Sequence, residues 1–459
     1  MSERQCAHRY PRVLVVNGSA FGEHSPTAIT LTNLFRGWPS DEIALAHFDP
    51  VARNPGGGFC SQVWKLSLAD VPVDRTVRKL LGDRKEHFFG RAGDGAPGGR
   101  RAFSARNGGS LRTGFHAVAS AWADLLLVQP SGDFWKWVAD FRPEVIYSML
   151  GKVRIIQFVR QVARYCDKPV VPHFMDDWPS TYYRGWLNAV PRRAMLVQLR
   201  SLIGRAPLGM GISPVMAAEY ERRYSIPFYD FMNCVSVPEV NPAEGSPAHS
   251  PLRFTYIGGL HNQRRHVLEE IGQALLSVSR EGCSAELVIH APERDIRQHG
   301  VALSALPSVR VGPTLSQDQL VPAMRDADVL VHVDSFGQEV RDYLRLSLST
   351  KLPQYMASGR AILAYGPGEL ATFKYVQDAQ CGIVVGDRNG ALLLKAVRTL
   401  ALDPQTRAAL GRRGWQVAME RHKAEKVREQ FRDILSLACG SSRESPATAP
   451  VPLACDSRA

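Results

Sequence analysis

Residues Val329–Gly368 read VLVHVDSFGQEVRDYLRLSLSTKLPQYMASGRAILAYGPG. An apolar strand, VLVHV, runs into a polar loop, and Ser349, Thr350 and Lys351 then open a predicted helix that stops at Gly359. A second apolar strand, AILAY, ends in Gly-Pro-Gly. Two hydroxyls and a lysine beside the free N–H groups of a helix start suit a phosphate. The unit therefore predicts a phosphorylated ligand at the carboxyl edge of a parallel sheet.

Composition is typical of a globular protein with room for two domains. The 459 residues are 45% hydrophobic, which is ordinary for chains that bury full cores. The sequence has no apolar run of about 18 residues, so we expect no membrane-spanning helix. The start, MSERQCAHRYPRVLVV, reads as a first strand and not as a signal peptide. Eight cysteines without a CxxC pair or a Cys/His cluster predict reduced thiols, a cytoplasmic protein and no metal site.

Positive charge is concentrated in two regions. Lys and Arg number 56 and Asp and Glu 44, which makes the net charge +12. Residues 74–112 contain ten cations and four acids, and residues 179–218 contain five arginines and no acid. Such a surface can serve nucleic acid, an anionic membrane or an anionic small ligand, or it can be ordinary solvated surface. Because no aromatic and basic binding motif accompanies the charge, nucleic acid is not a predicted partner.

Two alternations of strand and helix predict a two-domain α/β protein. The predicted parts are, in chain order, a first domain over 1–237, a linker over 238–252, a second domain over 253–415, a returning helix over 416–438 and a disordered tail over 440–459. A glycine- and arginine-rich insertion at about 90–114 is predicted to be mobile within the first domain.

Several motifs occur in a recognisable order. They are Phe254-Thr-Tyr-Ile-Gly-Gly-Leu, the pair Arg264-Arg265, and the run from Ser349 to Tyr365, with looser matches at Gly18, Gly22 and His173. In this order they resemble glycosyltransferases of the GT-B fold, most closely the retaining family 4 enzymes. The resemblance implies two Rossmann-like domains facing a central cleft, with a C-terminal helix crossing between them. It also implies a nucleoside-diphosphate sugar in the second domain, an acceptor in the first, and no metal or other cofactor, because cationic side chains neutralise the leaving diphosphate.

The resemblance assigns the donor diphosphate to groups of both domains. The predicted residues are Gly18, Gly22, Gly258, Gly259, Arg264, Arg265, Ser349, Thr350, Lys351 and Gln354. Arg265 matches the second of two family cations, whereas Gly259 replaces the first, and Arg264 is a candidate for the missing charge. Gln354 replaces a ribose-binding glutamate, and Leu346 stands near the position of another. Ordinary helix caps and solvent-facing cations are the alternative interpretation of these residues.

The predicted catalytic residues are His173, Asp177, Arg265 and Lys351. His173 ends a strand, where the family has a histidine facing the reacting centre, and a satisfied buried histidine is the alternative. Of the adjacent Asp176 and Asp177, we favour Asp177 as the group that orients or deprotonates the acceptor. A metal-binding DxD element is disfavoured by the spacing.

The expected function is a retaining, metal-independent, hexosyl-type glycosyltransferase acting on a glycan or lipid-linked acceptor, as in polysaccharide or glycolipid synthesis. A non-catalytic nucleotide-sugar-binding partner is the alternative, because both usual glutamates and one cation are missing. A GT-B epimerase would need more acidic and histidine residues in the second domain. The basic, apolar-rich stretch 182–205 predicts a peripheral membrane contact, or else a helix packed on its own sheet.

Overall fold

The computed structural model describes residues 9–440 except 24, 50, 51, 53, 67–117 and 245–247. The predicted insertion at 90–114 lies outside the described residues, and so does the predicted tail beyond its first residue.

The first half of the described chain forms a seven-stranded parallel sheet in the order β3-β2-β1-β4-β5-β6-β7. Its strands are β1 Val13–Asn17, β2 Ile43–His47, β3 Gln62–Lys65, β4 Val145–Ser148, β5 Val170–Phe174, β6 Gly209–Gly211 and β7 Phe228–Asp230. The central strands are buried along their whole length, as expected where helices cover both faces of a sheet. Because β1 pairs with β2 on one side and β4 on the other, a crevice opens at the carboxyl ends of β1 and β4.

The second half repeats this design with six parallel strands in the order β10-β9-β8-β11-β12-β13. They are β8 Leu252–Ile257, β9 Ala285–His290, β10 Val309–Val311, β11 Val329–Val333, β12 Ala361–Tyr365 and β13 Gly382–Val385. Here the equivalent crevice lies between β8 and β11, which pair directly.

Helices connect the strands of both sheets. Those of the first half are α1 Pro26–Phe35, α2 Gly132–Phe141, α3 Val153–Cys166, α4 Trp178–Thr181, α5 Ala189–Ile203 and α6 Pro214–Tyr224. Those of the second half are α7 Arg264–Arg280, α8 Glu293–Ser304, α9 Gln317–Arg325, α10 Gln338–Leu344, α11 Leu352–Ala357, α12 Ala371–Asp378, α13 Gly390–Leu402, α14 Pro404–Arg421 and α15 Ala424–Gly440. Ser25 caps α1 by accepting the Ala28 N–H, and the proline after it needs no partner for an N–H group.

The two segments that connect the domains, around Val235 and around Lys423, lie side by side. Val235 donates its N–H to the carbonyl oxygen of His422 and accepts one from Ala424, each at 2.9 Å. These bonds interrupt the helix predicted over 416–438, which is therefore two helices, α14 and α15. The second of them packs on the first domain, where the ring of Phe431 lies 5.0 Å from that of Phe35.

Candidate functional site

The candidate site lies at the carboxyl ends of β8 and β11. Gly258 and Gly259 follow β8, and Asp334 follows β11. Lys351 reaches the same place from the turn before α11, since its Nζ donates to the carbonyl oxygen of Ile257 at 2.7 Å. The fold thus gathers residues far apart in the chain at the crevice where α/β proteins commonly bind ligands.

A side chain at either glycine would force neighbouring side chains to shift. A Cβ on Gly258 would lie 2.8 Å from Lys351 Nζ and 2.7 Å from the hydroxyl of Tyr256. A Cβ on Gly259 would lie 2.5 Å from Nδ1 of His261. The loop after β8 therefore lies directly against the lysine ammonium.

Arg264, at the start of α7, is the second cation of the site. Its Nη2 lies 2.5 Å from Oδ1 of Asp334, and the two side chains are 17% and 5% exposed. Burial alone would raise the pKa of Asp334, but the charge of Arg264 holds that pKa well below its usual range. Burial acts to lower the pKa of Arg264, and Asp334 more than compensates. The pair is therefore ionised at neutral pH, and its guanidinium is held in one orientation.

Of the two cations, Lys351 is the one whose pKa lies nearest to neutral pH. Burial lowers its pKa from 10.5 to about 8, repulsion from Arg264 adds to this effect, and Asp334 opposes it. Two cations beside one carboxylate leave an excess of positive charge. An anionic ligand would relieve the repulsion and favour the protonated lysine.

Arg265 points away from this cluster. Its Nη1 lies 2.8 Å from Oε1 of Glu269, one turn along α7. Successive helical residues are rotated by about 100°, so the neighbouring arginines face different ways. Of the two predicted phosphate-binding arginines, the structure places Arg264, and not Arg265, beside Asp334 and Lys351; the predicted phosphate-binding and catalytic role of Arg265 stays a prediction.

The other second-domain residues predicted to bind the sugar donor lie close to Lys351 in the chain. Ser349 and Thr350 form the turn before α11, which begins at Leu352. The N–H of Ser349 donates to the hydroxyl of Thr372 at 3.1 Å. Gln354 lies on α11 and is partly exposed. Within the described residues, the side chains of Ser349, Thr350 and Gln354 have no hydrogen-bond partner, so each is available to a ligand.

Gly18 and Gly22 lie in the loop after β1, across the cleft. Gly22 has φ +144°, and its N–H donates to the hydroxyl of Thr32 on α1 at 2.7 Å. Gln317 of the second domain donates to the carbonyl oxygen of Glu23 at 3.5 Å. The β1 loop therefore faces the second domain, as a donor- or acceptor-contacting loop would.

His173 lies in the core of the first domain. It is fully buried, with Nδ1 2.6 Å from the hydroxyl of Tyr147 and Nε2 3.0 Å from the carbonyl oxygen of Phe231. Burial lowers its pKa to about 3. A neutral imidazole whose two nitrogens both contact protein cannot reach a substrate. The predicted catalytic role is corrected, and the satisfied buried histidine is what the structure shows.

Asp177 is also occupied by structural contacts. Its carboxylate is 1% exposed and accepts hydrogen bonds from Tyr220, Arg223 and Ser180, each at 2.9 Å. Burial would raise its pKa, but Arg223 holds that pKa below its usual value. A carboxylate so engaged is a poor base, which corrects the second catalytic assignment in the first domain. The neighbouring Asp176 faces the second domain, which its place in the sequence did not reveal.

The described part of the chain contains no group of three or more His, Cys, Asp and Glu residues that could hold a metal ion. In the same residues, no helix combines the length and the apolar content that crossing a membrane requires.

Comparison with solved structures establishes the fold. HepE from Anabaena, solved in complex with UDP-glucose, has a TM-score of 0.57 at 12% identity, covering 93% of this chain and 99% of that one. Sucrose-phosphate synthase from Thermosynechococcus elongatus has a TM-score of 0.59 at 14% identity, covering 95% and 100%. A UDP-forming α,α-trehalose-phosphate synthase from Burkholderia vietnamiensis has a TM-score of 0.59 at 11% identity, covering 95% and 99%.

These neighbours are GT-B glycosyltransferases, so the predicted GT-B fold is confirmed. No protein-family model matches the chain, and no curated protein matches it in sequence.

Proposed function

We propose that this protein is a cytoplasmic glycosyltransferase that moves a sugar from a nucleoside-diphosphate sugar to a hydroxyl of a glycan or lipid-linked acceptor. The observation that carries the proposal is the clustering of two cations at the crevice of the second sheet, where Lys351 borders Gly258 and interacts electrostatically with the Arg264–Asp334 pair. The GT-B neighbour solved with UDP-glucose supports a uridine diphosphate sugar as the first donor to test.

The proposed chemistry is stabilisation of a leaving diphosphate. When the bond from the sugar to the diphosphate breaks, negative charge grows on the phosphate oxygens. Arg264 and Lys351 lie in a partly dry site, where fixed positive charge stabilises such an anion more than it would in water. Asp334 holds the guanidinium of Arg264 in place before substrate arrives. With two cations in this role, the proposal involves no metal or other cofactor.

We further propose that transfer retains the configuration of the sugar, as in family 4, with the leaving phosphate accepting the proton of the attacking hydroxyl. The state of two carboxylates supports this. Asp334 is paired with Arg264, and Asp177 with Arg223, so neither is available as a nucleophile. Nuclear magnetic resonance of the first product would show the same anomer as the donor; an inverted anomer would contradict this step.

The main test is a thermal-shift screen of uridine, guanosine, adenosine and thymidine diphosphate sugars. A ligand that binds the folded state raises the unfolding midpoint, and we expect one nucleotide class to do so. Transfer is then measured with Lys351→Met, which should be slower by about 100-fold or more, and with Arg265→Met as the control that keeps its rate. Binding without transfer to any acceptor would favour a non-catalytic nucleotide-sugar-binding protein. No binding of any class would contradict the proposal.

We also propose that the acceptor side of the protein contacts an anionic membrane. The indole of Trp122 donates to the carbonyl oxygen of Leu187 at 2.9 Å, which joins two segments into one apolar surface. Trp186 on this surface is 84% exposed, and the exposed Arg193 follows on α5. Tryptophan beside arginine suits the interface of an anionic bilayer. Trp186→Ala should reduce co-sedimentation with phosphatidylglycerol vesicles, and equal binding to phosphatidylcholine vesicles would contradict the role of charge.

A further inference from the structure

The segment that leads to Lys351 is packed in the first domain, although it follows β11 of the second. Leu346 and Leu348 are 2% and 4% exposed and belong to the hydrophobic core of the first domain. Ser213, at the start of α6, donates its hydroxyl to the carbonyl oxygen of Leu346 at 2.7 Å. We call residues 343–349 the bridging segment. Leu346 and Leu348 therefore anchor this segment in the first domain.

Asp176 holds the bridging segment with both of its carboxylate oxygens. The hydroxyl of Tyr343 donates to Oδ2 at 2.9 Å, and the hydroxyl of Ser347 donates to Oδ1 at 3.0 Å. Both donors belong to the second domain, whereas the adjacent Asp177 is engaged mainly by Arg223 of its own domain. Asp177 therefore stabilises mainly the first domain, whereas Asp176 connects the first domain to the second.

The other polar contacts of this region are weaker or more exposed. Arg345 lies 3.3 Å from Asp177 and is 48% exposed. Arg184 pairs with Asp342 at 2.7 Å, with 54% and 34% of the side chains exposed. Exposed pairs of this kind contribute little to stability. The Arg184–Asp342 pair spans the same interface as Asp176 and so provides a matched control.

The bridging segment is also tied to the donor site. The hydroxyl of Thr372 accepts from the N–H of Ser349 and donates to the carbonyl oxygen of Ser347, each at 3.1 Å. Two residues after Ser349, Lys351 donates to Ile257. The five residues from Ser347 to Lys351 are joined by four Cα–Cα steps and span at most about 14 Å when fully extended. Only a short stretch of chain therefore joins the residue held by Asp176 to the lysine beside Gly258.

We propose that Asp176 is a positioning residue that holds Lys351 at the donor site through the bridging segment. The part of this inference that concerns the nucleotide rests on the proposed function, and the tie between the domains does not. Two hydrogen bonds to one buried group are together strong enough to shift a two-state population about tenfold or more. Removing the hydrogen bonds from Tyr343 and Ser347 should therefore release the bridging segment and weaken nucleotide binding by a similar factor.

The experiment compares the full-length protein with Asp176→Ala, Asp176→Asn and the control Asp342→Asn. Hydrogen exchange of the amides in 343–351, measured without ligand, should become about tenfold faster in Asp176→Ala. Asp176→Asn keeps one accepting oxygen and should recover part of the protection, while Asp342→Asn should resemble wild type. Affinity for UDP, measured by calorimetry, should fall about tenfold in Asp176→Ala and remain unchanged in Asp342→Asn.

Each outcome separates this inference from the proposed function. Unchanged exchange in Asp176→Ala would overturn the tie, and faster exchange with unchanged UDP affinity would overturn the positioning of Lys351. If wild type binds no nucleoside diphosphate, the proposed function is contradicted, and hydrogen exchange alone decides whether Asp176 holds the segment. If Asp176→Ala does not fold, the double variant Tyr343→Phe and Ser347→Ala removes the same two bonds from the opposite side and is judged by the same criteria.

Discussion

Replacing Lys351 with methionine is expected to stabilise the protein while weakening its binding of nucleotide. Methionine has a similar length and no charge, and it adapts well to irregular space. In the native protein the ammonium lies beside the backbone of Gly258, with the carbonyl oxygen of Ile257 as its partner. Burial lowers the pKa of Lys351 from 10.5 to about 8. The folded state therefore holds this charge at a cost.

The size of the effect follows from the pKa. At about 1.36 kcal/mol per pKa unit, the change from 10.5 to about 8 corresponds to about 3 kcal/mol of destabilisation. Losing the hydrogen bond to Ile257 offsets about 1 kcal/mol of the gain, which leaves a net stabilisation of about 2 kcal/mol at pH 7. The cost of the charge is fully present below pH 8, the folded-state pKa. It disappears as the pH rises towards 10.5, because the folded protein then holds a neutral amine.

Urea unfolding at pH 7 and pH 10 measures this difference. Lys351→Met should be more stable than wild type at pH 7 and should lose most of that advantage at pH 10. The control is Lys374→Met, an exposed lysine on α12, which should change stability by less than about 0.5 kcal/mol. A variant less stable than wild type at pH 7, or equally stabilised at both pH values, would refute the reasoning. UDP should raise the midpoint of wild type and not that of Lys351→Met.

Three further substitutions test the site. Arg264→Met should remove the guanidinium that pairs with the buried Asp334, leaving His332 at 3.3 Å, and destabilise the fold by about 3 kcal/mol. Arg265→Met should cost less than about 1 kcal/mol. Urea unfolding compares the two variants, and equal losses would contradict the assignment. Gly258→Ala places a methyl 2.8 Å from the lysine ammonium and should weaken UDP binding at least about tenfold by calorimetry; unchanged affinity would contradict the contact. Tyr147→Phe should lower stability by about 1 kcal/mol without changing the transfer rate, and a slower rate at intact stability would restore a catalytic role for the buried histidine.

Local sequence predicts the strands around the site. The runs VLVHV and AILAY occur as β11 Val329–Val333 and β12 Ala361–Tyr365. A central parallel strand is covered on both faces, so it needs an unbroken apolar run, and such a run can be read without knowing its neighbours. Gly258 and Gly259 can be named for the same reason, because residues just beyond the ends of such strands meet at one edge of the sheet. Lys351 can be named from its place at a helix start.

What the sequence by itself determined was therefore the α/β pattern, the two domains and the edge of the sheet at which the candidate site lies. Tertiary structure alone decided which of Arg264 and Arg265 joins Lys351, because neighbours on a helix differ by a rotation that only the docking of α7 orients. It also decided that His173 is buried and that Asp176 reaches across the cleft. The partners of both residues are distant in the chain, and spacing along a sequence carries no information about which side chains a folded core brings together.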